Sequence, residues 1–359
     1  MLLNLFSQLR KQLTAAPEAS TAAGDTKAGQ LGIQHLRKFW AQTMAKRSGQ
    51  FTDPAEQNWR FDNLLLNGLG LPLQETLRYL LQTGPTFEEF EQWVLLKNGG
   101  KFAPLQLERL NSLLTGQPYD AAIQAQLREV ATHEDVLSPA DLRFWEENGY
   151  VIVRGAISKE QAQATEAAVW EALDMQPDNP ASWYEKPIGQ GMMMDFYHHP
   201  TLRANRQSLR IRKAFAQLWG TPDLWATTDR TSLNPPETAT YRHQGTPLHW
   251  DMSLQPPFHF GTQGLIYLCD TAADQGAFQC VPGFHRQLES WLTALPAGTN
   301  PRQVDLSALT RPIAAEAGDM VIWHHYLPHG SSPNRASYPR IVQYLNMYPM
   351  EFKENTAWL

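Results

Sequence analysis

Cysteine is scarce in this chain of 359 residues: there are two, Cys269 and Cys280. Both stand in apolar, strand-like surroundings, which argues against a disulfide framework and for buried thiols in a reducing compartment. No apolar run approaches the roughly 18 residues of a membrane-spanning helix, so no membrane partner is expected. Basic charge is not in excess: 30 Lys and Arg stand against 36 Asp and Glu, a net charge of −6. That leaves no electrostatic footprint for nucleic acid or an anionic membrane. A secretory signal is also missing. Leu2, Leu3, Leu5, Phe6, Leu9 and Leu13 recur at helical spacing, interrupted by Gln8, Arg10 and Lys11, and a cytoplasmic address is expected. No internal repeat stands out.

What is abundant is Trp (12) and Pro (25), a composition closer to an aromatic-lined, loop-rich enzyme than to a helical bundle. The length allows one large domain with an appendage, or two modest domains. Residues 1–30 read as a short amphipathic helix and a small, polar linker. Residues 31–136 read as a helical N-terminal module, broken at Gly68, Gly70, Pro72 and Gly84-Pro85. Within it, Thr86 and Glu89 form a capping-box pattern, and the helix they open stops at Asn98-Gly-Gly100. This module carries no catalytic constellation. Docking, covering the active site and dimerisation are the roles weighed for it, with lid or homodimer contacts favoured. A second pattern starts at residue 137. Ser138 with Asp141, and Ser158 with Gln161, cap helices on either side of a strand over 150–154. Beyond residue 190, short strands alternate with Gly/Pro loops, as in a β-barrel or sandwich. Strands are expected over 264–269, 319–323 and 340–348.

His249-Trp250-Asp251 is a His-x-Asp pair, and on a strand its first and third side chains share a face while Trp250 points away. A third ligand must come from a strand distant in sequence. His329, 80 positions on and at a strand end set by Pro328 and Gly330, is the best candidate. His324 and His325 are alternatives, and His243, His259 and His285 lie in the same half. Two neutral imidazoles and a carboxylate can hold one face of Fe(II) and leave the other face open. Arg340, on the last long strand, is either a structural ion pair or a clamp for the distal carboxylate of 2-oxoglutarate, with Ser331 adding a hydroxyl. Met192, Met193 and Met194 read as core filler. Trp183, Tyr184, Phe196, Tyr197 and Trp225 read as core before pocket wall, and Lys186, Arg230 and Arg242 as solvated charge before substrate contacts.

Four stretches, residues 137–153, 248–251, 276–286 and 317–340, resemble the phytanoyl-CoA dioxygenase family of Fe(II)/2-oxoglutarate-dependent oxygenases. They occur in the family's order. The resemblance implies a double-stranded β-helix (jelly-roll) core over residues 137–359, mainly β with flanking helices. It implies iron on His249, Asp251 and His329, and 2-oxoglutarate on Ser331 and Arg340. It further implies O2 as co-substrate and oxidation of a C–H bond with release of succinate and CO2. Because Asp251 is present, hydroxylation is favoured over halogenation. The expected partner is a small molecule, free or carried by CoA or a carrier protein. Competing readings are a catalytically silent jelly-roll binding protein, and a cupin-type isomerase or zinc hydrolase using the same triad. Residues 31–136 have no counterpart in the minimal family pattern.

Overall fold

The computed structural model describes residues 28–50, 59–186, 188, 192–243, 245–353 and 355. The helix expected over 1–14 and most of the linker after it lie outside these residues. Among the described residues six helices come first: α1 (Leu36–Arg47), α2 (Trp59–Gly68), α3 (Leu73–Thr83), α4 (Phe87–Lys97), α5 (Pro104–Thr115) and α6 (Ala121–Thr132). They form around a core of their own, with Leu65, Leu69, Leu80, Phe90, Val94 and Leu110 buried. Side chains of this kind contribute about 1.5–3 kcal/mol each on full burial. Trp225, from the following region, closes that core. The Thr86–Glu89 capping box opens α4, and Asn98 ends it.

The chain continues through α7 (Pro139–Asn148), β1 (Tyr150–Val153), α8 (Lys159–Leu173), β2 (Met193–Met194), α9 (Pro200–Arg206), α10 (Leu209–Trp219), β3 (Trp225–Ala226) and β4 (Thr231–Asn234). It ends with β5 (Thr262–Tyr267), β6 (Phe278–Cys280), α11 (Leu288–Ala294), β7 (Arg311–Pro312), β8 (Met320–His324), β9 (His329–Ser331), β10 (Arg340–Tyr344) and β11 (Met347–Tyr348). Capping boxes at Ser138–Asp141 and Ser158–Gln161 start α7 and α8.

The larger sheet runs β1-β8-β5-β10-β4-β2, and the smaller β7-β6-β9; every pairing is antiparallel. Alternation along the strands sorts side chains between two cores. Ile322, Ile341 and Leu345 face the helices, with Phe215 and Val169. Leu265, Tyr267, Val321, Trp323 and Val342 face the smaller sheet, with Phe278 and Cys280. Arg340 is two positions from Val342 and therefore shares its inward face. The two sheets thus make the sandwich expected of a jelly roll. The mainly-β expectation needs correction, since 42% of the described residues are helical and 14% are strand. The strands are short because loops that carry the site interrupt them, and helices cover the outer face of the larger sheet as well as building the N-terminal module. The strand expected over 340–348 is broken into β10 and β11.

Candidate active site

His249 and His329 are antiparallel partners in a single bridge, with His249 N donating to His329 O at 2.9 Å and His329 N to His249 O at 3.1 Å. Side chains of directly opposed residues lie on the same face, and the two rings are 4.5 Å apart between centroids. Asp251 falls beyond the bridge and turns back to the same side. Its Oδ1 is 3.6 Å from His249 Nε2, and its Oδ2 is 3.4 Å from His329 Nε2. One ligand atom from each of the three residues lies within 4.8 Å of the others, the only such group of His, Cys, Asp and Glu among the described residues.

The ring tautomers follow from the backbone. His249 Nδ1 is 2.9 Å from Pro247 O, and His329 Nδ1 is 3.0 Å from Leu327 O. A carbonyl only accepts, so each Nδ1 carries the proton and each Nε2 keeps its lone pair. Burial and the neighbouring His329 push the His249 pKa down, against the pull of Asp251. Burial opposes ionisation of Asp251, yet His329, His249 and the Gln263 amide together hold its carboxyl well below the usual range. Two imidazole Nε2 atoms and a carboxylate therefore converge on one point. That is a donor set for a hard or borderline cation, and it fits Fe(II).

A relay orients the carboxylate. Trp323 Nε1, which can only donate, reaches Gln263 Oε1 at 3.0 Å, and this turns Gln263 Nε2 onto Asp251 Oδ2 at 2.6 Å. Gln263 and Trp323 are register partners on β5 and β8. Phe278 and Trp323 back His329, with ring centroids 6.1 Å and 5.1 Å away. Exposure is uneven: the side chain of His329 is 6% exposed, those of His249 and Asp251 39% and 43%. The triad is sealed behind His329 and open on the other side. Trp250 points away into the core, where its Nε1 donates to Tyr326 O at 2.9 Å.

The alternative histidines are elsewhere. His324 packs against His285, Phe260 and Trp145, and His325 Nε2 bonds His259 O at 2.7 Å. Ser331 Oγ accepts from Thr246 N at 2.9 Å and lies 3.2 Å from Thr246 Oγ1. Arg340 is 1% exposed, and its Nη2 meets only Ser232 Oγ at 3.1 Å and Met192 Sδ at 2.7 Å. Among the described residues no carboxylate pairs with it. Its Nε is a buried atom without a partner, as are both side-chain polar atoms of Asn234, its register partner on β4. His243 Nε2 is also unpartnered, and Arg340 depresses the His243 pKa after burial has done so.

Residues 145–342 match the phytanoyl-CoA dioxygenase (PhyH) family. The chain belongs to the phytanoyl-CoA dioxygenase family. As a member it is an Fe(II)/2-oxoglutarate-dependent oxygenase. A putative phytanoyl-CoA dioxygenase of Dictyostelium discoideum is 23% identical over 258 residues, which are 57% of this chain and 74% of that protein. Among solved structures, the non-heme alpha-ketoglutarate-dependent carbocyclase SnoK from nogalamycin biosynthesis aligns at 21% identity and a TM-score of 0.45, over 59% of this chain and 84% of its own. HygX of Streptomyces hygroscopicus, with nickel and 2-oxoglutarate bound, aligns at 16% identity and a TM-score of 0.42, over 61% and 90%.

Several participants around this oxygenase centre escaped sequence reasoning. Gln263 had a signal, since alternation with Leu265 and Tyr267 puts it on the inner face. Asn234 had none, because its pairing with Arg340 joins strands 106 positions apart. Met192, core filler by its sequence, touches the guanidinium of Arg340. Trp183, Tyr197 and Trp225 are buried in cores, as expected. Lys186 pairs with Asp174 at the surface, while Arg230 is held by Asp195 and Tyr197.

Proposed function

We propose that this oxygenase hydroxylates an unactivated C–H bond of a small organic molecule, free or carried on a protein or CoA, with iron on His249, Asp251 and His329. Arg340 and Ser331 hold the distal carboxylate of 2-oxoglutarate in this reading. The observation that carries it is the buried Arg340 with no anion of its own. A guanidinium in a dry core is costly unless a charge meets it, and a dicarboxylic co-substrate supplies that charge. The orphaned amide of Asn234, the register partner of Arg340, adds neutral hydrogen-bonding capacity beside it. With iron and 2-oxoglutarate bound, O2 would be the oxidant: one oxygen atom would enter succinate as 2-oxoglutarate loses CO2, and the other would enter the substrate C–H bond. The chain's own work is placement. The Nδ1–carbonyl bonds keep both Nε2 lone pairs aimed inward, Gln263 holds the carboxylate, and the aromatic wall behind His329 keeps water from that side. Asp251 occupies the third protein position, which favours hydroxylation over halogenation. The exposed side of His249 and Asp251 is where substrate approaches.

Anaerobic titration of the Fe(II)-loaded protein with 2-oxoglutarate tests this, read by the visible charge-transfer band of the chelate. The band should appear, and Arg340→Ala should diminish it while leaving iron bound. Iron bound with no band on adding the keto acid would sink the reading.

A further inference from the structure

Asp251 sits two residues past the last ladder hydrogen bond of its segment, at His249. No strand holds the backbone there, yet the carboxylate must stay on the same side as both imidazoles. The carbonyls on either side of Asp251 are claimed by one side chain. Arg302 Nη1 donates to Trp250 O at 2.7 Å, and Arg302 Nη2 to Met252 O at 2.6 Å. Arg302 itself stands in a short 3-10 turn, Pro301–Gln303, whose start is capped by Asn300 Oδ1 accepting from Arg302 N at 3.0 Å. A planar guanidinium with parallel N–H groups suits two carbonyls flanking one residue, and an ammonium does not.

We infer that Arg302 is a positioning residue for the metal site. Its fork holds the Trp250–Asp251 and Met252–Ser253 peptides and so replaces the sheet that has ended at His249. The inference rests on the proposed iron ligands and adds a residue some 50 positions away that touches none of the reacting groups. Trp250, anchored to Tyr326 O, pins the segment from the core side. Arg302 pins it from the loop between α11 and β7. Loss of the fork frees Asp251 to swing, and the cost falls on iron affinity.

The test is Fe(II) affinity under anaerobic conditions for the unaltered chain, Arg302→Gln, Arg302→Lys and His329→Ala, with thermal unfolding of each metal-free protein. Removing such a supporting contact is expected to weaken iron binding about ten- to a hundredfold. Arg302→Lys, which meets one carbonyl at a time, should fall between Arg302→Gln and the unaltered chain. The metal-free unfolding temperatures of both Arg302 variants should stay close to that of the unaltered chain. Millimolar methylguanidinium should restore part of the affinity of Arg302→Gln. If His329→Ala loses iron while both Arg302 variants bind it within threefold of the unaltered chain, the inference is overturned and the ligand assignment survives. If His329→Ala keeps its iron, the ligand assignment fails instead.

Discussion

At the scale of single residues, Arg340 makes the sharpest demand. A buried guanidinium that meets one hydroxyl and one thioether is under-solvated, so its removal should not weaken the metal-free protein. Arg340→Met is expected to unfold at the same temperature or higher, as found when buried ions give way to apolar side chains. The same substitution should raise the dissociation constant for 2-oxoglutarate by about a hundredfold or more, since charge-assisted pairing in a dry site is worth on the order of 3 kcal/mol. Calorimetry and the anaerobic titration read the two effects separately. Gln263→Leu should cost about tenfold in iron affinity by releasing Asp251, with little change in keto-acid binding at saturating iron. The triad was legible in the sequence because His249 and Asp251 are two positions apart and His329 begins a strand. Alternation puts Gln263 on the inner face, but neither its contact with Asp251 nor the reach of Arg302 to the flanking carbonyls is encoded by any local pattern.

Elements carry the site by crossing closely. Gly330 separates His329 from Ser331, and a Cβ there would lie 2.2 Å from Thr246 O and 3.1 Å from Pro247 O. Both obstacles are backbone of the segment that leads to His249. Gly330→Ala should therefore push β9 away from that segment, break the His249–His329 bridge and abolish tight iron binding, as metal analysis would register. A Gly330→Ala protein with unaltered iron content would refute this account of the crossing. The helix starts are more forgiving: Ser138→Ala removes the capping hydroxyl of α7 and should cost about 1 kcal/mol in urea unfolding. The three capping boxes were readable because they are encoded within four residues. Strand boundaries were less so: β5 begins at Thr262, before the expected start at residue 264, and β10 stops at Tyr344. Strand ends are decided by partners on neighbouring strands.

The whole molecule joins the N-terminal helices to the sandwich through polar contacts and one shared ring. Arg109 pairs with Asp223 at 2.6 Å and stacks on Trp225, 4.0 Å from its ring, while Arg78 reaches Asp195 at 2.7 Å. Asp195 in turn meets Arg230, just before β4. The module of residues 31–136 is thus tied to the edge of the larger sheet. Acid should loosen the whole. Burial pushes His325 down to about 4 and His324 well below its ordinary value, so both stay neutral in the fold. Unfolded imidazoles take a proton near pH 6.5, so the stabilisation is complete above that pH and fades as pH falls toward 4. His325 alone accounts for about 3 kcal/mol of that loss. Urea midpoints should fall between pH 7 and pH 5, and His325→Gln should flatten the fall; an equal slope in the variant would contradict it. No helix among the described residues is long and apolar enough to cross a membrane.

By itself the sequence offered the candidates: a His-x-Asp pair, a distal histidine, a serine and an arginine, in the order of the family it resembles. It also determined where helices begin, because capping is local. Only the tertiary structure decided that His329 and not His324 or His325 meets the pair, that no described carboxylate pairs with Arg340, and that helix outweighs strand among the described residues. It also brought Gln263 and Arg302 to Asp251. Each of these depends on register or on contacts between segments tens of residues apart, and packing sets those where local pattern does not.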